Sequence, residues 1–166
     1  VNVSAIQLLR GDLAATLQRI LADTGVDARC LELELTESAI MDNISHSASV
    51  LDACRRLGVG VAVDDFGTGY SSLAYLKRLP LTTLKIDQEF VGDLGHDPDD
   101  EAITSTVIAM GHSLALTVVA EGVETAEQLQ FLREHGCDEI QGHYIAAAMD
   151  ARACLAFLHQ PGLLPA

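Results

Sequence analysis

The chain has 166 residues, a formal net charge of −14, and a composition 49% hydrophobic but only 4% aromatic, without tryptophan. That length suffices for one domain with a sizeable core. Such acidity excludes a surface that grips long DNA or RNA by neutralising phosphates, whereas a small phosphorylated ligand stays open if metal ions carry the compensating charge. Abundant alanine, leucine and valine suit helices packed on a parallel sheet. No stretch reads as a membrane span or a signal peptide, so the expected location is cytoplasmic, within a parent protein that is free or membrane-attached. The four cysteines, Cys30, Cys54, Cys137 and Cys154, are widely spaced without a C-x-x-C pair and read as buried, reduced thiols.

In chain order, Val1 to Ser4 reads as the end of a strand, so the sequence is expected to start inside an element. Asp12 caps a helix with Leu13, Leu17, Ile20 and Leu21 on one face, closed at Thr24-Gly25. Cys30 to Leu35 alternates polar and apolar as a second strand. A helix from about Asn43 turns Ser47, Val50, Leu51, Cys54 and Leu57 inward and stops at Gly58. The short β-branched run Gly58 to Val63 is a buried strand ending at Asp64-Asp65, after which Phe66-Gly67-Thr68-Gly69 turns into a short helix from Ser71 or Ser72.

Thr82 to Asp87 is the next strand, followed by an amphipathic turn carrying Phe90, Val91 and Leu94. The polar loop Gly95 to Asp100 leads into a helix with Ile103, Val107, Met110 and Leu114 on its inner face. Leu116 to Ala120 is a strand, Thr125 to Gln128 spells a capping box, and that helix runs to about His135. Cys137 to Ile140 is a last short strand, and a helix spans about Ala151 to Leu158.

Strand and helix alternate every thirty residues or so. This predicts a parallel sheet with right-handed crossovers, either doubly wound or a (β/α) barrel. Six strands are expected. A full eightfold barrel takes about 250 residues, so a barrel reading implies an incomplete one, lacking its start.

Polar residues recur at the C-terminal ends of these strands: Asn2, Glu34, Asp64 with Asp65, Lys85, Glu121 and Gln141. In a barrel such ends converge on one mouth. Two like charges about 4 Å apart repel by roughly 4 kcal/mol at an effective dielectric near 20. The Asp64-Asp65 pair therefore needs protons, a basic neighbour or metal ions if it faces a cleft; otherwise it is a solvated turn with an aspartate cap. Asn, Glu and Asp are oxygen ligands suited to Mg²⁺ or Mn²⁺, and no histidine pair has zinc-like spacing. Two ions sharing Asp64 would clamp a phosphodiester, with Lys85 orienting the attacking water.

The stretches VNVSA (Val1 to Ala5), LELELTES (Leu31 to Ser38), GVGVAVDDFGTGYSSLAYLKRLP (Gly58 to Pro80), LKIDQEFV (Leu84 to Val91), VVAEGVET (Val118 to Thr125) and GCDEIQG (Gly136 to Gly142) resemble the EAL family of bacterial cyclic di-GMP phosphodiesterases. The resemblance implies a TIM-like barrel that hydrolyses cyclic di-GMP to linear pGpG with Mg²⁺ or Mn²⁺, two ions in all. It implies Asn2, Glu34 and Asp64 as ligands of the first ion, Asp64 bridging to a second that Asp65 and Glu121 approach, and Lys85 and Glu121 as the residues of the chemistry. Glu124 and Gln141 match supporting positions, and Glu37 matches a glutamate that steadies the loop Phe66 to Ser72, where Thr68 and Gly69 make the turn.

The Glu-Ala-Leu motif that names the family is absent, as is an arginine near it that helps hold the substrate. Residues 1–166 are therefore expected to form the C-terminal two-thirds to three-quarters of one such domain, with no second domain. The proline that usually follows Gln141-Gly142 is also missing from Tyr144 to Met149. The resemblance further implies a homodimer in the intact domain and a fused sensory or GGDEF domain in the parent. Two other readings remain: an EAL-like receptor or scaffold without catalysis, and an unrelated α/β domain with solvated acidic loops.

Overall fold

The computed structural model describes residues 1–67 and 76–159. Helices α1 (Ala5–Arg10) and α2 (Leu13–Thr24) precede strand β1 (Glu32–Thr36); α3 (Glu37–Met41) and α4 (Ile44–Arg56) lead to β2 (Gly60–Phe66). Strand β3 (Thr83–Ile86), helices α5 (Gln88–Gly92) and α6 (Pro98–Ser113), β4 (Thr117–Ala120), α7 (Ala126–Glu134), β5 (Glu139–Ile140) and α8 (Ala151–Leu158) follow. The predicted short helix from Ser71 or Ser72 falls mostly on residues 68–75, which lie outside the described ones.

The five strands pair in parallel in the order β1-β2-β3-β4-β5. A doubly wound sheet reverses its order at a switch point; this one does not. It is an α/β fold in which strands advance one place at a time, the wall of a partial TIM-like barrel. Asn2 extends that wall by a parallel bridge to Glu34, with Val3 N–H donating to the Glu34 carbonyl at 2.9 Å and Glu34 N–H to that of Val1 at 2.9 Å. The sixth predicted strand is thus a single bridge.

Side chains alternate along β1, where Leu33 and Leu35 are buried while Glu32, Glu34 and Thr36 are half-buried. The buried set joins Val61, Val63, Leu84, Ile86, Val118, Leu51 and Ile108 in one core. That period-2 division delivers the charged residues to the opposite face. Helix starts are capped as their sequences dictate, by Asp12, Asn43, Asp97, Thr125 and Asp150.

Several sequence expectations are corrected. Strand β1 starts at Glu32, because Asp27 caps a 3₁₀ turn over Ala28–Cys30 and leaves Cys30 exposed. Cys54 alone of the four cysteines is fully buried; Cys137 is intermediate and Cys154 exposed. Ile20 is 45% exposed although it shares the periodic face of α2. Helix α6 is rotated from its expected face: Thr104, Val107, Ile108 and Gly111 are buried and Ile103 is not. Gly111 explains the rotation, since a Cβ there would meet Val118 Cγ2 at 2.4 Å, so the helix lies on β4 along its smallest side. Strand β2 does not stop at Val63. It continues through Asp64 and Asp65 to Phe66.

Candidate active site

That continuation makes the site. Val63 pairs with Leu84 and Phe66 with Ile86, so β2 spends one more residue than β3 across this step and bulges. Asp65 absorbs the irregularity with φ 53°, a conformation costly for a residue with a side chain. In a regular strand Asp64 and Asp65 would point to opposite faces. Here carboxylate oxygens of Asp64, Asp65 and Glu121 lie within 4.8 Å of one another.

Lys85, 5% exposed on β3, reaches into this group from the neighbouring strand. Its Nζ is 2.6 Å from Glu121 Oε1, 3.1 Å from Asp64 Oδ1 and 3.2 Å from Glu34 Oε1. Burial acts to strip the ammonium of its proton, but the hydrogen bond to Glu121 and the closeness of Asp64 outweigh it and hold its pKa above the ordinary lysine value. Glu121 is pushed up by burial, only partly offset by Lys85. Asp65 is pushed up by burial and by the charges of Asp64 and Asp87. One cation does not balance this many acids.

The other expected residues divide into two groups. Asn2 stands beside Glu34 on the adjoining bridge, at the edge of the cluster. Gln141 and Glu124 lie on the rim of a cleft of about 370 Å³, also lined by Gln88, Glu121, Gly122 and His143. Glu124 Oε1 is 3.6 Å from His143 Nδ1. Glu37 is buried in the first turn of α3, is not among the ion-pair partners of Lys85, and its Oε2 has no hydrogen-bond partner among the described residues. Thr68 and Gly69 lie outside the described residues.

Sequence reasoning passed over Asp87. It caps α5, accepting from Glu89 N–H at 2.8 Å, and its carboxyl shares a hydrogen bond with Asp65. Asp87 follows the last residue of β3, so the strand-end rule that selected Glu121 selects it too. Below this layer Thr83 Oγ1 donates to Glu32 Oε2 at 2.5 Å, a second polar tier on the same face.

The arrangement fits a divalent cation. The donors are hard oxygens, and Asp64 Oδ1 is buried with, among the described residues, no partner beyond its 3.1 Å ion pair to Lys85. A parallel barrel wall with an oxygen-donor cluster at the C-terminal ends of its strands defines a class of barrel proteins whose site lies at that mouth.

Within that class the chain belongs to the EAL domain family, whose profile matches residues 1–148. It is 45% identical over 156 residues to the bifunctional diguanylate cyclase/cyclic di-GMP phosphodiesterase MucR of Pseudomonas aeruginosa, covering 94% of this chain and 23% of MucR. A solved structure of the MucR phosphodiesterase in complex with c-di-GMP superposes with a TM-score of 0.89 at 44% identity, over 93% of this chain and 62% of that one. A manganese/c-di-GMP complex of BlrP1 from Klebsiella pneumoniae gives a TM-score of 0.82 at 32% identity, over 89% of this chain and 38% of that one. The chain spans 18–25% of the length of the curated relatives it matches.

Proposed function

We propose that this chain supplies the phosphodiesterase site of a signalling protein that hydrolyses cyclic di-GMP to linear pGpG with Mg²⁺ or Mn²⁺. The observation that carries it is the gathering of Asp64, Asp65 and Glu121 within 4.8 Å at the mouth of an EAL barrel wall. The relatives add support: MucR is described as a cyclic di-GMP phosphodiesterase, and BlrP1 holds manganese beside the same nucleotide.

Asn2, Glu34 and Asp64 would hold one ion, and Asp64, Asp65 and Glu121 the other. When bound, the ions supply Lewis-acid stabilisation of charge developing on the phosphodiester. The chain's own contribution is positional and electrostatic. The bulge at Asp64-Asp65 turns two neighbouring carboxylates to one face, and Asp87 braces Asp65. Lys85 keeps its proton, so it donates a hydrogen bond toward the attacking oxygen and does not act as a base. Glu121, 2.6 Å from Lys85 Nζ, orients that ammonium. Glu124 and Gln141 line the adjoining cleft, and Glu37 would serve as the supporting glutamate that the family resemblance implies. In the parent this module works beside a sensory or GGDEF domain, an arrangement that the bifunctional description of MucR supports.

The test is conversion of cyclic di-GMP to pGpG by the full-length protein with Mn²⁺ or Mg²⁺, and again after chelation. Turnover that chelation abolishes is the expected result. Tight binding without turnover would make the module a receptor, and turnover indifferent to chelation would overturn the metal assignment.

A further inference from the structure

The loop that carries Glu121 touches its neighbours at points that the metal site does not use. Gly122 has φ 71°, and a Cβ on it would meet Gln88 Cβ at 2.5 Å, so the loop lies directly on the first residue of α5. On its other side Val123 N–H donates to the Gln141 carbonyl at 3.1 Å, and Tyr144 N–H to that of Val123 at 2.9 Å. A Cβ on Gly142 would fall 2.1 Å from Val123 O. The loop is wedged between α5 and the strand that follows it.

Gln128 closes the wedge. It is 5% exposed, at the third position of α7. Its Oε1 accepts from Thr125 N–H at 2.9 Å, as a capping box requires, and also from Glu124 N–H at 2.7 Å. A capping box needs nothing more of this side chain. Yet its Nε2 donates to the Gly92 carbonyl at 3.0 Å, thirty-six positions away. Gly92 ends α5, so this carbonyl is among those a helix C-terminus leaves without an internal partner. One buried amide thus ties the far end of the Glu121 loop to the far end of the helix whose cap, Asp87, braces Asp65.

We propose that Gln128 is a positioning residue of the acidic site, fixing the Glu121 loop against α5 so that Glu121 and the Asp87–Asp65 pair keep their separation. The proposal rests on the reading of that cluster as a metal site, but the clamp itself is a property of the metal-free protein. Its chemistry separates two roles. Gln128→Glu keeps an acceptor for Glu124 and Thr125 and loses the donor to Gly92, so the box survives while the bridge breaks. Gln128→Ala removes both.

The full-length protein and its Gln128→Glu variant are compared by amide hydrogen exchange without metal, and by Mn²⁺ titration followed by electron paramagnetic resonance. In the variant, amides of both Gln88 to Gly92 and Glu121 to Thr125 exchange faster, and Mn²⁺ binds about tenfold more weakly, the size expected for losing an outer support of a metal ligand. Gln128→Ala exceeds both effects; if it fails to fold, Gln128→Glu carries the test. A variant that only melts earlier, with exchange in Gln88 to Gly92 and Mn²⁺ affinity both unchanged, makes Gln128 a helix cap and overturns the proposal. A wild-type protein that binds no Mn²⁺ sinks the metal reading instead, and the exchange data then decide the clamp alone.

Discussion

The two ends of this one sheet are built on opposite electrostatic plans. At the N-terminal ends of the strands polar groups are matched. Asp138 accepts from Val118 N–H at 2.8 Å and lies 3.0 Å from His112 Nε2, Arg55 Nη1 donates to the Val59 carbonyl at 2.9 Å, and Thr82 Oγ1 both accepts from Val61 N–H and donates to the Val61 carbonyl. At the C-terminal ends Glu34, Asp64, Asp65, Asp87 and Glu121 crowd together, and the described residues set Lys85 alone against them. Pairing is what a structure does when only stability is at stake. Excess negative charge, raised carboxyl groups and a strained bulge mark the end where stability is given up for binding.

The largest effects should appear where the charge is in excess. Asp64→Asn removes a carboxylate from the centre of the cluster while keeping its shape. Hydrolysis of cyclic di-GMP should fall by about 10²–10³-fold or more, the scale of losing one stabiliser of transition-state charge. The metal-free variant should melt no earlier than wild type, because one term of like-charge repulsion is gone. Thermal melts with and without Mn²⁺ check the sign: the ion should raise the wild-type midpoint and leave the variant unmoved. A variant that turns over normally would show that Asp64 is not a ligand.

Lys85→Met is the converse and should hurt the metal-free protein most. It leaves Glu34, Asp64 and Glu121 facing one another without their cation, a loss of about 3–5 kcal/mol for breaking a buried ion pair from one side. Mn²⁺ should restore much of that stability, since a divalent ion replaces the missing charge, while turnover stays low. Denaturant melts of the variant across a Mn²⁺ series read this directly.

How far the sequence showed this contrast depends on the period of each signal. Strand ends follow from short β-branched runs, and the polar residues beyond them from position alone, which is why Glu34, Asp64, Lys85 and Glu121 are legible in the sequence. The bulge could not: nothing in Val63 to Phe66 announces that β2 takes one residue more than β3, and that extra residue is what brings Asp65 round to Asp64. Asp87 obeys the same rule as Glu121 but falls within the predicted strand Thr82 to Asp87, and its role as a helix cap shows only in the structure. Helix faces failed where packing depended on a small residue, as at Gly111, because hydrophobic periodicity has no term for how closely a helix may approach a strand. Gln128 was legible as half of a capping box, but a bond to a carbonyl thirty-six residues earlier leaves no local mark.

Between the two ends, glycines set how tightly loops may seat. Gly142→Ala would place its methyl 2.1 Å from Val123 O and 2.3 Å from Val123 N, backbone atoms that cannot rotate away. A loss of about 3 kcal/mol is expected from overpacking of this kind, visible as a lower denaturant midpoint. Gly92→Ala is its control. Nothing lies within 4 Å of a Cβ there, so stability should stay within about 0.5 kcal/mol of wild type or rise slightly as the unfolded chain stiffens.

The smallest effect belongs to the matched end and carries a definite pH sign. The Val118 N–H, opposed by burial and helped by His112, holds Asp138 below the ordinary carboxylate value of 3.8. A lowered folded-state pKa contributes stability that is present above the unfolded value and is lost as pH falls through the folded one. The pair is half-exposed, so solvent screening limits the charge contribution, and the backbone hydrogen bond sets the scale at about 1 kcal/mol. Asp138→Ala should therefore be less stable by about that amount at pH 7, and the gap should close as the pH is taken below 3.8. Equal melts at pH 7, or a gap that widens in acid, would show that the closed end of the sheet does not depend on this carboxylate.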